Sequence, residues 1–415
     1  MYNVVLVAFE GPDRYSFVGG LATRMNDLAA ALVARGHRVR HLFVGDPTLP
    51  HLEEREKGAL ILERWSQWIS AYHPKDVYDG EEGKYLDFSR TVPRHLVDVV
   101  AAAARAGQRS VLLFEDWQCA AAAIATASLL AGRGLRAPVF WNANNTYGFG
   151  RVDFPLLRRV ASITTISRFM RMELLKHDVE SAILPNGLAD RWLAPVAPAD
   201  ISTLRASYAE RPTFVKVARF DADKRWLWAV DAAAAMRDAG LRPRLIMRGS
   251  RSDYSEIVAA RIRARRLEID RIVLPPTATP KDLAEAISTT TGTVIFLDFF
   301  IAERTLRALY ASADGVLANS EKEPFGLVGL EVMSCGGVAY VGRTGEDYAV
   351  PFGNSVVVQS DDPRELTSSY LTLRQKPELV ASIRADGLAT AQRFSWPRIL
   401  DAYEVLWETA LALTS

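Results

Sequence analysis

A chain of 415 residues with 49% hydrophobic and 24% charged side chains has globular proportions and exceeds what one core usually supports, so two domains are expected. With 50 basic against 49 acidic residues the net charge is +1, which gives no general attraction for nucleic acid or anionic lipid. The cysteines, Cys119 and Cys335, are too few for a disulfide framework and suit a reducing cytoplasm. No apolar run has membrane-spanning length, and the six histidines lack ligand spacing, so no metal is expected.

The start, Met1 to Phe9, has no basic leader region and reads as a strand, Val4 to Phe9, instead of a signal peptide. A helix follows from Gly20 to Ala34. Further strands are expected at Val39 to Val44, Ser110 to Phe114, Val139 to Asn142 and Ile163 to Ile166, with helices at Leu96 to Ala106 and Ala120 to Leu130. Ser167 is an N-cap for the helix that begins at Arg168.

The alternation then repeats. Strands are expected at Thr213 to Ala218, Arg244 to Met247, Arg271 to Leu274, Thr293 to Leu297 and Gly315 to Ala318. The proline-bearing stretch Leu193 to Asp200 reads as a hinge. The fold class is α/β: two Rossmann-like, doubly wound domains facing across a cleft, residues 1–192 and 211–395, joined by a 193–210 linker. An amphipathic, aromatic-rich helix closes the chain at 396–414.

The strongest motif is Ser320-Glu-Lys-Glu-Pro-Phe-Gly-Leu-Val-Gly-Leu-Glu331, which runs from a strand into a helix starting near Leu327. Phe325, Gly326, Leu327 and Val328 offer backbone N–H groups at a helix N-terminus, a place suited to phosphate or a hydroxyl. Gly326 lets a ligand approach the chain closely. Glu323 and Glu331 flank this turn and can accept hydrogen bonds from sugar hydroxyls; a pair of surface capping acids is the bland alternative.

Arg219 and Lys224 lie in the loop after the second domain's first strand, where two cations can hold a diphosphate and neutralise a leaving group. Pairing with Asp221 or Asp223 is the ordinary reading. Gly19 and Gly20 open the first helix and suit a phosphate, although the dinucleotide fingerprint is absent. Base contacts are expected from loops near Gly249 and from Pro275 to Leu297.

In order along the chain, these segments resemble the retaining glycosyltransferases of family 4, with a pattern similar to bacterial glycogen and starch synthases. Ile183-Leu-Pro-Asn-Gly-Leu188 resembles the family's interdomain turn, and Phe394-Ser-Trp396 the start of a last helix that crosses back to the first domain. The resemblance implies a GT-B fold, diphosphate contacts from Arg219 and Lys224, sugar contacts from Glu323 and ribose contacts from Glu331. It also implies transfer without metal or covalent protein nucleophile, the acceptor attacking the face from which the diphosphate leaves. Where the family has histidines the chain has Glu115 and Asn144, and where it has the glycine after the lysine it has Arg225.

The expected activity is therefore cytoplasmic transfer of a hexosyl group from a nucleotide diphosphate sugar to a carbohydrate or other hydroxyl acceptor. Asp116, Trp117 and Asn144 are acceptor-side candidates. No cofactor, metal or nucleic acid is expected. Arg158-Arg159 and the Arg168/Arg171 pair leave a weak membrane-surface contact as a minority reading. The alternatives are a GT-B enzyme of divergent chemistry (epimerase, phosphorylase or coupling enzyme) and a non-catalytic nucleotide-sugar binder.

Overall fold

The computed structural model describes residues 1–249 and 252–413. The chain forms two compact units: Met1–Ala189 together with the chain from Phe394, and Asp190–Arg393.

In the first unit the strands are β1 (Asn3–Val7), β2 (Arg38–Val44), β3 (Leu52–Arg55), β4 (Leu60–Trp65), β5 (Ser110–Glu115), β6 (Val139–Ala143), β7 (Ser162–Thr165) and β8 (Ala182–Ile183). Their order is β3-β4-β2-β1-β5-β6-β7-β8, parallel except for the β3–β4 pair. Val4 is level with Val39 on one side and Val111 on the other. Val4 to Val7 are fully buried, as a central parallel strand covered on both faces requires.

The helix Gly20–Ala34 packs Met25, Leu28 and Leu32 into a core shared with Leu400, Tyr403 and Trp407 of the last helix, Trp396–Leu413. Gly187 makes that docking fit: a Cβ there would lie 2.3 Å from the Trp396 ring. Backbone bonds between Leu188 and the Phe394–Trp396 segment complete the contact. Ser167 caps its helix by accepting the Met170 N–H at 3.1 Å.

The second unit holds β9 (Thr213–Val217), β10 (Arg244–Arg248), β11 (Ile269–Ile272), β12 (Val294–Leu297), β13 (Gly315–Ala318), β14 (Ala339–Val341) and β15 (Val356–Val357). They form a parallel sheet ordered β11-β12-β10-β9-β13-β14-β15. Phe214, Trp226, Met236, Met247, Phe296 and Leu317 are among its core.

The structure adds to the sequence expectation in three places. The 193–210 stretch, expected as a linker, lies inside the second unit, and 198–207 of it is the helix Pro198–Ser207. β3, β4, β8, β14 and β15 were not expected. The helices expected from Leu96 and Ala120 begin earlier, at Glu81 and Asp116. Among the described residues no helix is long and apolar enough to cross a membrane, and Cys119 and Cys335 are buried, free thiols.

Candidate active site

β13 ends at Ala318 and the helix Leu327–Ser334 begins nine positions later, with Gly326 as its N-cap. Gly326 has φ +81°, a left-handed conformation that favours glycine, and a Cβ there would come within 2.7 Å of Glu346 Cγ. Phe325 is buried with its ring 6.0 Å from that of Tyr348, so only its backbone is placed for a ligand. Leu327, Val328 and Glu331 are half-buried on the first turns of the helix.

The loop after β9 meets this turn. Lys224 Nζ lies 3.1 Å from Glu323 Oε2 and 3.4 Å from Asp223. Against a burial that lowers it, the charges of Glu323 and Asp223 raise the Lys224 ammonium above its ordinary range. The Glu321 N–H donates to the Asp223 carbonyl at 2.7 Å, tying the two turns together through the backbone.

Arg219 is exposed at the same strand end. Arg225 stands at φ +53°, where a glycine would be unstrained. Its guanidinium is held by Asp361 at 2.8 Å and lies over the Trp228 ring, so the larger residue supplies contacts that offset the backbone cost. Gly249 sits where a Cβ would be 2.7 Å from the Ala218 carbonyl, so the end of β10 packs directly under this loop.

Two residues that the sequence did not reveal brace the turn. Thr344 Oγ1 accepts the Glu323 N–H at 2.8 Å and donates to the Glu323 carbonyl at 3.1 Å. Glu346, buried, accepts the N–H groups of Gly342 and Thr344. Burial, with the Glu323 charge adding to it, pushes the Glu346 carboxyl up to about 7. The signal for both is Gly345 between them, whose Cβ would collide with the carbonyl of Pro324 at 2.2 Å.

The first unit gathers a separate polar group. Asp116, at φ +60°, accepts the backbone N–H of Asn144 at 2.8 Å and the Asn145 amide at 3.0 Å. Burial, then the charges of Glu115 and Glu10, raise its carboxyl to about 7. Asn144 Nδ2 donates to Glu115 at 2.6 Å, and Glu115 pairs with the buried Arg24. Arg24 in turn donates to the Tyr403 hydroxyl and to Asn186 of the Pro-Asn-Gly turn.

Trp117 is buried, its ring covered by the Arg151 guanidinium at 4.4 Å, and Trp141 is a core residue. At the Gly19-Gly20 helix start, Glu10 accepts the N–H groups of Gly19 and Ala22 at 3.1 and 3.0 Å. Sequence reasoning missed Glu10. Among the described residues no cluster of metal-ligating side chains occurs.

Residues 211–376 match the profile of the family described as Glycosyl transferases group 1. Over 109 residues the chain is 30% identical to the D-inositol 3-phosphate glycosyltransferase of Saccharomonospora viridis, covering 25% of each. It is 28% identical over 184 residues to the GDP-mannose-dependent alpha-(1-6)-phosphatidylinositol dimannoside mannosyltransferase of Mycobacterium tuberculosis, covering 44% of this chain and 40% of that one. The chain thus matches between a quarter and two fifths of the length of these relatives. The structure of sucrose-phosphate synthase from Thermosynechococcus elongatus matches with a TM-score of 0.68 over 100% of both chains at 18% identity, which shows a shared two-domain GT-B fold.

Proposed function

We propose, from the group 1 glycosyltransferase domain that residues 211–376 form, that the chain transfers a hexosyl group from a nucleotide diphosphate sugar to a hydroxyl acceptor with retention at the anomeric carbon. The observation that carries this reading is the Lys224–Glu323 contact where the loop after β9 meets the turn after β13. In an open parallel sheet ligands bind at the carboxyl ends of strands, and here a cation, a carboxylate and a helix N-terminus share one such end.

Lys224 and Arg219 are assigned to the diphosphate. Their charge stabilises it as the glycosidic bond breaks, while the backbone N–H groups at Gly326 to Val328 hold sugar or phosphate oxygens. Glu323 is assigned to the hydroxyls of the transferred sugar and Glu331 to the ribose. In the first unit Asp116 and Asn144 are assigned to the acceptor. Trp117, sealed by Arg151, has a packing role. The work is done in the cytoplasm.

Incubation with GDP-, UDP- and ADP-hexoses, following nucleoside diphosphate release and the anomeric configuration of the product, tests the reading. One donor class should turn over with retained configuration, and Lys224→Ala should lower its kcat/KM by about 100-fold or more. Absence of turnover with all three classes and a panel of polyol acceptors, or an inverted product, contradicts it.

A second reading is favoured by one observation. Glu115 and Asn144, at the positions of the family's histidines, are bonded to each other, and neither is an imidazole. A divergent reaction on the same donor then follows, and products other than a glycoside would identify it.

A further inference from the structure

Lys216 lies on β9, the strand whose end carries Arg219, and its side chain is 2% exposed. Its ammonium donates to the Leu317 carbonyl and to Asn319 Oδ1, both at 3.0 Å, and lies 5.5 Å from the centre of the Trp226 ring. All of these partners are formally neutral. A buried ammonium without a carboxylate partner is a costly arrangement, and proteins that keep one ordinarily have a use for the charge.

Asn319 is fully buried, and its Nδ2 is one of the buried polar atoms without a hydrogen-bond partner among the described residues. Whenever Lys216 is charged its ammonium only donates, so the amide oxygen of Asn319 faces it, as in the structure, and the NH2 is left over. The unpaired NH2 therefore belongs to the residue at the root of the 320–326 turn. The charged groups acting on Lys216 are those of the site above: Lys224 and Arg225 disfavour its protonation, and Asp223 and Glu323 favour it.

We infer that Lys216 and Asn319 form a buried positioning pair beneath the donor site, which takes a proton from solvent onto Lys216 Nζ when a nucleoside diphosphate arrives at Lys224 and Arg219. This rests on the proposed donor site and deepens it. Before binding, burial first and then Lys224 and Arg225 lower the Lys216 ammonium to about 7, so near neutral pH a large part of it is uncharged. A diphosphate cancels the repulsion from Lys224 and Arg225 and brings negative charge of its own. The lysine then charges, strengthens its bond to Asn319 and fixes the base of the turn that holds Glu323.

Isothermal titration of the full chain with GDP, UDP and ADP at pH 7.5, in buffers of different ionisation enthalpy, tests this. The nucleotide that binds should draw net proton uptake of a sizeable fraction of one proton. Lys216→Arg, charged at every working pH, should keep binding within about threefold while most of the uptake disappears. Lys216→Met should also lose the uptake and weaken binding about tenfold or more. Glu346→Gln should retain the Lys216 share, since Glu346 is the other group near the turn that titrates near neutrality.

Wild-type binding without proton uptake, or uptake that persists undiminished in Lys216→Arg, overturns the inference and leaves the donor site standing. If none of the three nucleotides binds the wild-type chain, the donor-site reading falls and this inference with it. Should Lys216→Met fail to fold, the arginine variant decides the matter alone.

Discussion

The Lys224 ammonium sits 3.1 Å from the Glu323 carboxylate and so joins two strand-end turns that are 99 residues apart in the chain. Both side chains are about one-fifth to one-quarter exposed. A pair of that kind is worth less than about 1 kcal/mol to the fold, so its value lies in what it prepares for a ligand. Lys224→Ala and Glu323→Ala should each shift the melting temperature by no more than a few degrees while lowering turnover by about 100-fold or more. Scanning calorimetry beside the donor assay checks this; large destabilisation with turnover intact would reverse the assignment.

Gly326 is under two constraints at once. Its φ is +81°, and a Cβ would approach Glu346 Cγ to 2.7 Å and Tyr348 Oη to 3.1 Å. Gly326→Ala should cost about 1–3 kcal/mol in chemical denaturation and displace the N-terminal turn of the helix Leu327–Ser334. Turnover should fall more than stability alone explains. Gly20→Ala, at a glycine with open space around it, serves as the control with a small effect.

Asp116 predicts a pH dependence with a definite sign. Burial raises its carboxyl from about 4 to about 7, so the folded chain holds that proton more tightly than the unfolded chain. Its stabilising contribution is complete below about pH 4 and is lost as the pH rises through 7. Asp116→Asn removes this loss, and the variant should gain on the order of 1–3 kcal/mol relative to wild type between pH 5 and pH 8. Denaturation curves at those two pH values measure the difference; an equal gap at both would remove Asp116 from the titrating groups.

Glu115 is the hub of the first unit's buried network, accepting from Arg24, Asn142 and Asn144. Glu115→Ala leaves the Arg24 guanidinium buried and uncompensated, and unfolding free energy should fall by about 3–5 kcal/mol. The double variant Glu115→Ala with Arg24→Leu should recover part of that loss. Additive losses would mean that the pair is not coupled.

Much of the fold could be read from the sequence, for a physical reason. Buried parallel strands are continuous apolar runs, so β1, β2, β5, β6, β9, β10, β12 and β13 announce themselves. β3 and β4 do not. They are an antiparallel edge pair rich in charge, and Arg64 is buried only because Asp13, 51 residues away, takes it at 2.8 and 2.9 Å while Glu53 takes it too. β14 and β15 are two or three residues long, shorter than any periodicity can mark. The first half of the helix Glu81–Arg105 is hidden by its charges and by Pro93.

The site divides in the same way. Lys224, Glu323 and Gly326, on which the proposed site rests, lie in local motifs that can be read from the sequence alone. Thr344, Glu346, Lys216 and Asn319 act through contacts across different strand ends, and single-sequence reasoning has no register for those. The contact of Glu10 with the Gly19-Gly20 helix start is hidden for a related reason: a carboxylate nine positions earlier turns back to accept the Gly19 and Ala22 N–H groups.

The crystal structure of the chain with the nucleoside diphosphate that binds it best tests the central claim most directly. The phosphates are predicted within hydrogen-bond distance of Lys224 Nζ and of the backbone N–H groups at Gly326 to Val328, with Glu323 released from its lysine to face the position of the sugar. Phosphates lodged away from these groups, with the Lys224–Glu323 contact undisturbed, would contradict it.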